Sequence, residues 1–242
     1  MELPKQITDA LAPFGGSPHF LCVTGSKMYG TNRADSDTDY RGFVETTAPY
    51  LLGRQKFEQA EINNDSHDIV IYSFQKFLWL VSSGSTNAVE LLFVPENLII
   101  KTCPSYELLR QHRAAFITQD MVYRVICFAK ASWKRCNEER ATKQAYHAIR
   151  LLIQSYGLLR YQNIKFPLEE CQRIMLREIR DAVFDESFVR NTFAVYQSFL
   201  LLVEEEFAKG TLPKKIDQSL VDNLYYDVIQ GELSRFTNER RV

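Results

Sequence analysis

Residues 20–42 read FLCVTGSKMYGTNRADSDTDYRG, and this stretch decides the fold of the chain around it. It opens with a short apolar run, Phe20 to Val23, whose length and composition are typical of a β-strand. A glycine–serine pair ends the run, a polar segment follows, and the chain continues from Tyr40 to Val44 with strand-like composition again. The stretch therefore predicts two strands joined by a turn and a polar loop.

Two aspartates, Asp37 and Asp39, follow the glycine–serine pair after ten further residues. Side chains two positions apart on a strand lie on the same face of a sheet, so both carboxylates are expected to point toward one place. Carboxylates held that close repel each other unless a cation lies between them. The pattern therefore predicts that Asp37 and Asp39 bind a hard divalent cation, Mg²⁺ or alternatively Mn²⁺.

Gly25 and Ser26 lie where the first predicted strand gives way to a helix. A glycine at such a position allows the backbone to come close to a ligand. The first N–H groups of a helix, together with a serine hydroxyl, bind anions. We therefore expect a phosphate-binding turn close to the metal pair. Each pattern alone is common in loops without function, and the prediction depends on their combination at this spacing.

The two motifs, GSKMYG at 25–30 and SDTDYRG at 36–42, resemble those of the DNA polymerase β-like nucleotidyltransferase superfamily. The resemblance is closer to its stand-alone branch of predicted nucleotidyltransferases, which carries GSxxYG followed by SDxDxRG. It implies a mixed sheet with flanking helices, a two-metal site, and an NTP bound beside the glycine–serine turn. It also implies that Tyr29 and Arg41 belong to the substrate-binding residues.

In that superfamily, a third carboxylate on a neighbouring strand faces the first two and helps to deprotonate the acceptor hydroxyl. The segment His67–Tyr72 alternates and is rich in β-branched residues, which predicts a third strand. Asp68, near its start, is the candidate for this catalytic and metal-binding carboxylate, and Asp65 in the preceding turn is the alternative. Glu90, a lone charge in an apolar segment, is expected on a helix surface, with pairing to Arg41 as the other interpretation.

The expected fold class is α+β, with a small mixed β-sheet and flanking helices followed by an α-helical C-terminal half. Strands are expected at about 19–24, 39–46, 67–72 and 98–100, and the polar segment 47–66 is expected to be irregular. Helices are expected at about 5–13, 27–31, 74–81, 87–93, 105–115, 119–136, 138–161, 168–182, 187–208 and 216–229. We expect a catalytic core at 1–104 and a helical substrate-binding half at 105–242.

Lys143, His147 and Arg150 are spaced so that they share one face of a predicted helix. Because the resemblance extends over this segment, the three are expected to bind the triphosphate or the leaving pyrophosphate. The other basic clusters are interpreted as ordinary helix surface: Lys130, Lys134, Arg135, Arg173, Arg177 and Arg180.

The composition limits the function further. The formal net charge of −1 argues against a global basic field for nucleic-acid binding, although a local basic patch is compatible with it. Five cysteines without a CxxC pair indicate reduced thiols rather than disulfides or a zinc site. Neither a signal-peptide pattern nor a long apolar run occurs, so we expect a soluble cytoplasmic protein without a membrane partner.

The sequence thus predicts a Mg²⁺-dependent nucleotidyltransferase that transfers a nucleoside monophosphate from an NTP to a hydroxyl acceptor and releases pyrophosphate. The acceptor is left open among RNA such as tRNA, a protein and a small molecule. The oligomeric state and the preferred base are open as well. The alternative is a catalytically inactive nucleotide-binding or interaction module on the same fold.

Overall fold

The computed structural model describes residues 3–64 and 68–239 of the chain. Its contacts divide it into two compact units. The first, here called the sheet unit, comprises residues 1–28, 33–113 and 217–242, and the second, the helical unit, comprises 29–32 and 114–216. The sheet unit thus extends past the domain boundary expected at 104 and includes the last helix of the chain.

The described part of the sheet unit contains a five-stranded mixed sheet with the order β3-β4-β2-β1-β5. The strands are β1 Phe20–Val23, β2 Asp39–Val44, β3 Gln59–Asn63, β4 Asp68–Ser73 and β5 Ile99–Lys101. β2 and β4 are parallel, and the other neighbouring pairs are antiparallel. The expected α+β class is therefore confirmed.

Helices of both units account for most of the remaining described chain. They are α1 Lys5–Ala10, α2 Gly25–Tyr29, α3 Ala48–Leu51, α4 Phe74–Ser82, α5 Thr86–Glu90, α6 Pro104–Gln111, α7 Gln119–Glu139, α8 Thr142–Tyr161, α9 Glu170–Asp181, α10 Glu186–Ala208 and α11 Gln218–Glu239. Short 3₁₀ turns span Ala12–Phe14, Leu91–Phe93, Glu96–Leu98 and Arg113–Phe116. The first helix is shorter than expected because Pro13 lies in a separate 3₁₀ turn.

The segment 47–66 was expected to be irregular, but it contains α3 and β3. β3 pairs with β4, and only Ala60 and Ile62 of its five residues turn away from solvent. Such a short edge strand has too few apolar positions for its period to be recognised among polar neighbours. The strand that carries Asp68 is therefore the fourth along the chain.

The two faces of the sheet pack against different elements. Leu21, Val44, Ile69 and Ile71 belong to a buried cluster together with residues of α1 and the following 3₁₀ turn. The opposite face carries an aromatic cluster, defined by five buried rings: Phe20, Phe43, Phe74, Phe77 and Tyr106.

The aromatic cluster fixes the position of the acidic end of β2. Phe20 stacks on Tyr106 with ring centroids 3.7 Å apart, and Phe20 is the register partner of Phe43. Because side chains alternate along a strand, Asp39 and Arg41 lie on the same face as Phe43. The beginning of β2 therefore presents a carboxylate on a face whose other end is a rigid aromatic core.

In the helical unit, α8 is the central helix and contacts α7, α9 and α10. Its buried residues surround the helix, which is typical of a core helix rather than a surface helix. Thr118 caps α7 by accepting from the backbone N–H of Met121, and Asp185 caps α10 by accepting from that of Phe188. None of the described helices combines the length and apolarity that crossing a membrane requires.

Candidate active site

Two of the predicted carboxylates meet where β2 and β4 begin. The two strands run parallel and in register, so that Asp39 lies directly opposite Asp68. The two carboxyl groups are close enough for Asp68 to raise the pKa of Asp39. Two carboxylates held side by side repel each other unless a proton or a cation lies between them. The structure therefore places Asp39 and Asp68 together as an acid pair.

The electrostatics of this pair involve Asp37 as well. The pKa of Asp39 is raised from 3.8 to about 6, first by burial, then by the adjacent Asp68 carboxyl group and by the negative charge of Asp37. The positive charge of Arg41 acts in the opposite direction. Asp37 itself is exposed in the loop before β2 rather than part of the strand. The negative charges of both other predicted carboxylates therefore act on Asp39.

Gly25 brings the first motif against the second. Its φ is +61°, and a Cβ atom on Gly25 would lie 1.6 Å from Oδ2 of Asp39. The carboxylate of Asp39 therefore packs directly on the backbone of Gly25, and any side chain at this position would displace it. The backbone N–H of Thr24 also donates to the carbonyl oxygen of Asp39 at 2.9 Å. Gly25 was expected to let a ligand approach the backbone. In this structure, the group that approaches it is the Asp39 carboxylate.

Arg41 is tied to Asp68. Its Nη2 donates to Oδ2 of Asp68 at 2.9 Å, and its Nη1 donates to the Asp68 carbonyl oxygen at 3.0 Å. The side chains are 22% and 24% exposed, so the ion pair is only partly screened by water. The sequence did not indicate this pairing, because it depends on the parallel register of β2 and β4. Glu90, expected on a helix surface, is instead only 2% exposed, so that expectation was wrong.

Two further residues of the first motif, Ser26 and Lys27, lie in α2, and Lys27 contacts the acidic loop. Nζ of Lys27, in α2, donates to the hydroxyl of Thr38, the residue between the two motif aspartates. This contact places a positive charge next to the acidic loop, and the lone lysine inside GSKMYG was the sequence signal for it. Ser26 lies beside Lys27 in the same helix and is partly buried.

The acid pair has the chemistry that a hard divalent cation needs. Carboxylate oxygens are the ligands that Mg²⁺ prefers, and a bound cation would relieve the repulsion between Asp39 and Asp68. Within residues 3–64 and 68–239, however, no group of three His, Cys, Asp or Glu side chains forms a ready metal-ligand cluster. Asp65, the alternative third carboxylate, lies outside the described residues.

The other predicted binding residues belong to the helical unit. Tyr29 is 8% exposed and Arg150 is 6% exposed, and the Arg150 guanidinium lies 4.2 Å from the centre of the Tyr29 ring. Nη1 of Arg150 also donates to Oε1 of Gln154 at 2.8 Å. Both residues are therefore held by packing within this unit, and their predicted role in substrate binding stays a prediction.

Lys143 and His147 differ in charge as well as in exposure. Lys143 is exposed. The pKa of His147 is lowered to about 4, first by burial and then by nearby cations, of which Arg150 and Lys143 have the largest effects. His147 is therefore neutral near neutral pH. The predicted stripe of three cations consists instead of an exposed lysine, a neutral imidazole and a buried arginine.

Comparison with known proteins agrees with the motifs. The profile of the family described as "RNA repair pathway DNA polymerase beta family" matches residues 15–182, well over half of the chain. The chain is also 29% identical over 108 residues to an uncharacterized 38.9 kDa protein from the nrdC–mobD intergenic region of Enterobacteria phage T4. That match covers 40% of the chain and 32% of the phage protein, so the chain aligns with about a third of that relative. The protein belongs to the RNA repair pathway DNA polymerase beta family.

Proposed function

We propose that the protein is a divalent-metal-dependent nucleotidyltransferase that transfers a nucleoside monophosphate from an NTP to a hydroxyl group. One observation supports this above the others. Two carboxyl groups lie side by side at the start of adjacent parallel strands, and one of them packs on the glycine of the GSxxYG motif. Such a pair at the edge of a rigid sheet is suited to hold positive charge where a polyphosphate is cleaved.

The proposed roles follow from this placement. Asp37, Asp39 and Asp68 would hold Mg²⁺, which when bound neutralises the polyphosphate and lowers the barrier to displacement. Gly25 and Ser26 position the phosphates, and Asp68 takes the proton of the acceptor hydroxyl. The acceptor oxygen forms a bond to the α-phosphorus, the bond from that phosphorus to the bridging oxygen breaks, and pyrophosphate leaves. Arg41 orients Asp68 through the ion pair between them.

The family description supports an RNA acceptor over the other classes. It refers to an RNA repair pathway, and RNA ends carry the hydroxyl group that the reaction requires. We therefore propose that the acceptor is an RNA end, and proteins and small molecules are alternatives that the same assay separates.

Incubation of the protein with α-labelled NTPs, Mg²⁺ and single-stranded RNA tests the proposal. We expect the RNA to gain the mass of one or more nucleotides and pyrophosphate to appear in equal amount. Asp39→Asn should reduce transfer by at least about 10³-fold, since it removes a charge that acts in the transition state. Asp35→Asn, in the same loop and exposed, is the matched control and should retain activity.

A catalytically inactive binding module would give a different result. The ion pair of Asp68 with Arg41 already compensates one acidic charge within the protein, which is the feature that favours this alternative. In that case Mg-NTP would raise the melting temperature while no acceptor class gained a nucleotide. Equal transfer by the wild type and Asp39→Asn would reject the proposed roles of the carboxylates.

A further inference from the structure

One face of α9 carries three arginines that the sequence placed on an ordinary helix surface, an expectation that the structure contradicts. Arg173, Arg177 and Arg180 are spaced at i, i+4 and i+7, and all three are partly buried. Nη2 of Arg177 donates to the carbonyl oxygen of Gly30 at 2.6 Å. The guanidinium of Arg180 lies 5.6 Å from the centre of the Tyr146 ring. We call these three residues the arginine face.

The arginine face is not neutralised by acids of the described chain. In residues 3–64 and 68–239, none of the three arginines forms an ion pair. The Nε atoms of Arg173 and Arg177 are buried and have no hydrogen-bond partner there. A buried donor without an acceptor destabilises the protein, so this arrangement is unfavourable without a ligand. The face is therefore suited to accept an anion.

The arrangement is also sterically fixed by the first motif. A Cβ on Gly30, whose φ is +74°, would lie 2.8 Å from Cδ of Arg173 and 2.9 Å from Cβ of Pro167. The aliphatic part of Arg173 therefore packs against the glycine. Thr31, the next residue, shares a hydrogen bond of 2.7 Å with the hydroxyl of Tyr146. Gly30, the last residue of GSKMYG, and Thr31 therefore help to position the arginine face within the helical unit.

Further cations extend the positive region onto neighbouring helices. His147 of α8 experiences the charges of Arg150, Lys143, Arg180 and Arg135, which lower its pKa. Arg135 of α7 and Lys143 of α8 are exposed, so both are accessible to a ligand. The positive region therefore includes side chains of three helices of the same unit.

We propose that the arginine face, together with Lys143 and Arg135, binds the phosphodiester backbone of a nucleic-acid strand. This inference rests on the proposed function and assigns the side chains that hold its acceptor. Arg173 and Arg180 are seven helical steps apart, a rise of about 10 Å along α9, which is longer than a single phosphate group. Five cations over three helices exceed what the phosphates of one nucleotide require, so a strand fits better than an NTP.

Salt-dependent binding of a fluorescent single-stranded RNA, measured by anisotropy in EDTA, tests the proposal without catalysis. Each phosphate contact contributes about 0.7 to the slope of log K against log salt concentration on a single strand. Arg173→Gln and Arg180→Gln should each reduce the slope by about 0.7, and the double variant by about 1.4. Arg173→Lys and Arg180→Lys should keep it, since they preserve the charge.

Control variants test whether the salt dependence of RNA binding comes from the arginine face or from any exposed cation of the unit. Arg124 of α7 and Arg190 of α10 are exposed cations in the same unit. Arg124→Gln and Arg190→Gln should leave the slope unchanged. Equal losses in the controls, or unchanged slopes in the arginine-face variants, would overturn the proposal. So would variants that lose affinity for free NTP while keeping the full slope for RNA.

A second readout uses His147, one of four histidines in the chain. When RNA neutralises the surrounding cations, the pKa of His147 should rise from about 4, because charge repulsion from them decreases. An NMR titration with and without RNA measures this, with His147→Gln assigning the signal, and an unchanged value would count against the proposal. Transfer that persists without these RNA contacts would refute only this inference. RNA contacts without transfer would refute only the proposed reaction.

Discussion

Alanine substitutions at three glycines can distinguish the effect of displacing Asp39 from the effect of a strained backbone. Gly25 has a φ of +61°, and its substitution by alanine would also place a Cβ 1.6 Å from the Asp39 carboxylate. Gly53 has a φ of +72°, with no atom within 4 Å of an added Cβ. Gly42 has no such strain, but its Cβ would lie 2.1 Å from the backbone oxygen of Phe20. The three alanine variants therefore differ in what the added methyl group meets.

The magnitudes follow from these contacts. Gly53→Ala should cost about 1–2 kcal/mol for a left-handed alanine, or roughly 2–8 °C in melting temperature. Gly25→Ala should cost about the same, because the atom it meets is the end of a side chain that can rotate away. Gly42→Ala should destabilise the protein by more than about 3 kcal/mol, since the backbone of Phe20 cannot move without breaking the sheet. Only Gly25→Ala displaces Asp39 while leaving the fold nearly as stable as its control.

Thermal unfolding with and without Mg²⁺ measures both effects. At a Mg²⁺ concentration ten times the dissociation constant, binding should stabilise the wild type and Gly53→Ala by about 1.4 kcal/mol. Gly25→Ala should lose most of this Mg²⁺ response, and with it nucleotide transfer. An equal Mg²⁺ response in Gly25→Ala and Gly53→Ala would refute the inference that Asp39, held on Gly25, is a metal ligand.

Three further predictions concern charge. In EDTA, Asp39→Asn should stabilise the protein by about 1–2 kcal/mol near neutral pH and not near pH 4. The reason is that the raised pKa of Asp39 lowers the stability of the wild type as pH rises from 3.8 to about 6. Chemical unfolding at both pH values measures this, and a lower stability of the variant at neutral pH would contradict it. Arg41→Gln should raise the pKa of Asp39 further, so that Mg²⁺ stabilisation sets in at higher pH; an unchanged midpoint would exclude this coupling. The pKa of His147 is lowered from 6.5 to about 4, so the folded protein loses stability as pH falls through that range. His147→Gln should remove about 1–2 kcal/mol of this loss near pH 5, and an unchanged acid dependence of urea unfolding would contradict it.

The strands and the turn around the candidate site could be predicted from the sequence because one short segment encodes them. Two strand-like runs, a glycine at the turn and an aspartate at the first position of β2 are all encoded within one short segment. The position of Asp68 at the start of a strand could also be predicted, since it precedes an alternating apolar run that forms β4. In both strands the acidic residue comes before the buried positions, and this order places it at the edge of the core.

The partners of these residues could not be predicted, because they depend on which strands pair. The ion pair of Arg41 with Asp68 requires β2 and β4 to be parallel neighbours, although β3 lies between them in the sequence. A strand order carries no signal in the residues of either strand alone. The burial of Glu90 could not be predicted either, because it depends on tertiary packing that the residues of its own helix do not reveal.

The arginines of α9 show a related limit. A cation repeated along one helix face is usually solvated, and α9 is strongly amphipathic, so its polar side was expected to face water. The structure instead packs Arg173 and Arg177 against the backbone of Gly30, which is more than a hundred positions away in sequence. Long-range packing of this kind turns an ordinary pattern into a candidate binding surface.

The sheet keeps Asp39 in a position that is unfavourable for the metal-free protein. Like charges of Asp37 and Asp68 act on it, and burial removes part of the water that would screen them. The aromatic cluster makes this possible, because Phe20 and Phe43 fix β1 and β2 through contacts in which the carboxylates take no part. Stability and function are therefore supplied by opposite ends of the same face. A substitution at the acidic end can remove function and still stabilise the fold, whereas one at the aromatic end removes both.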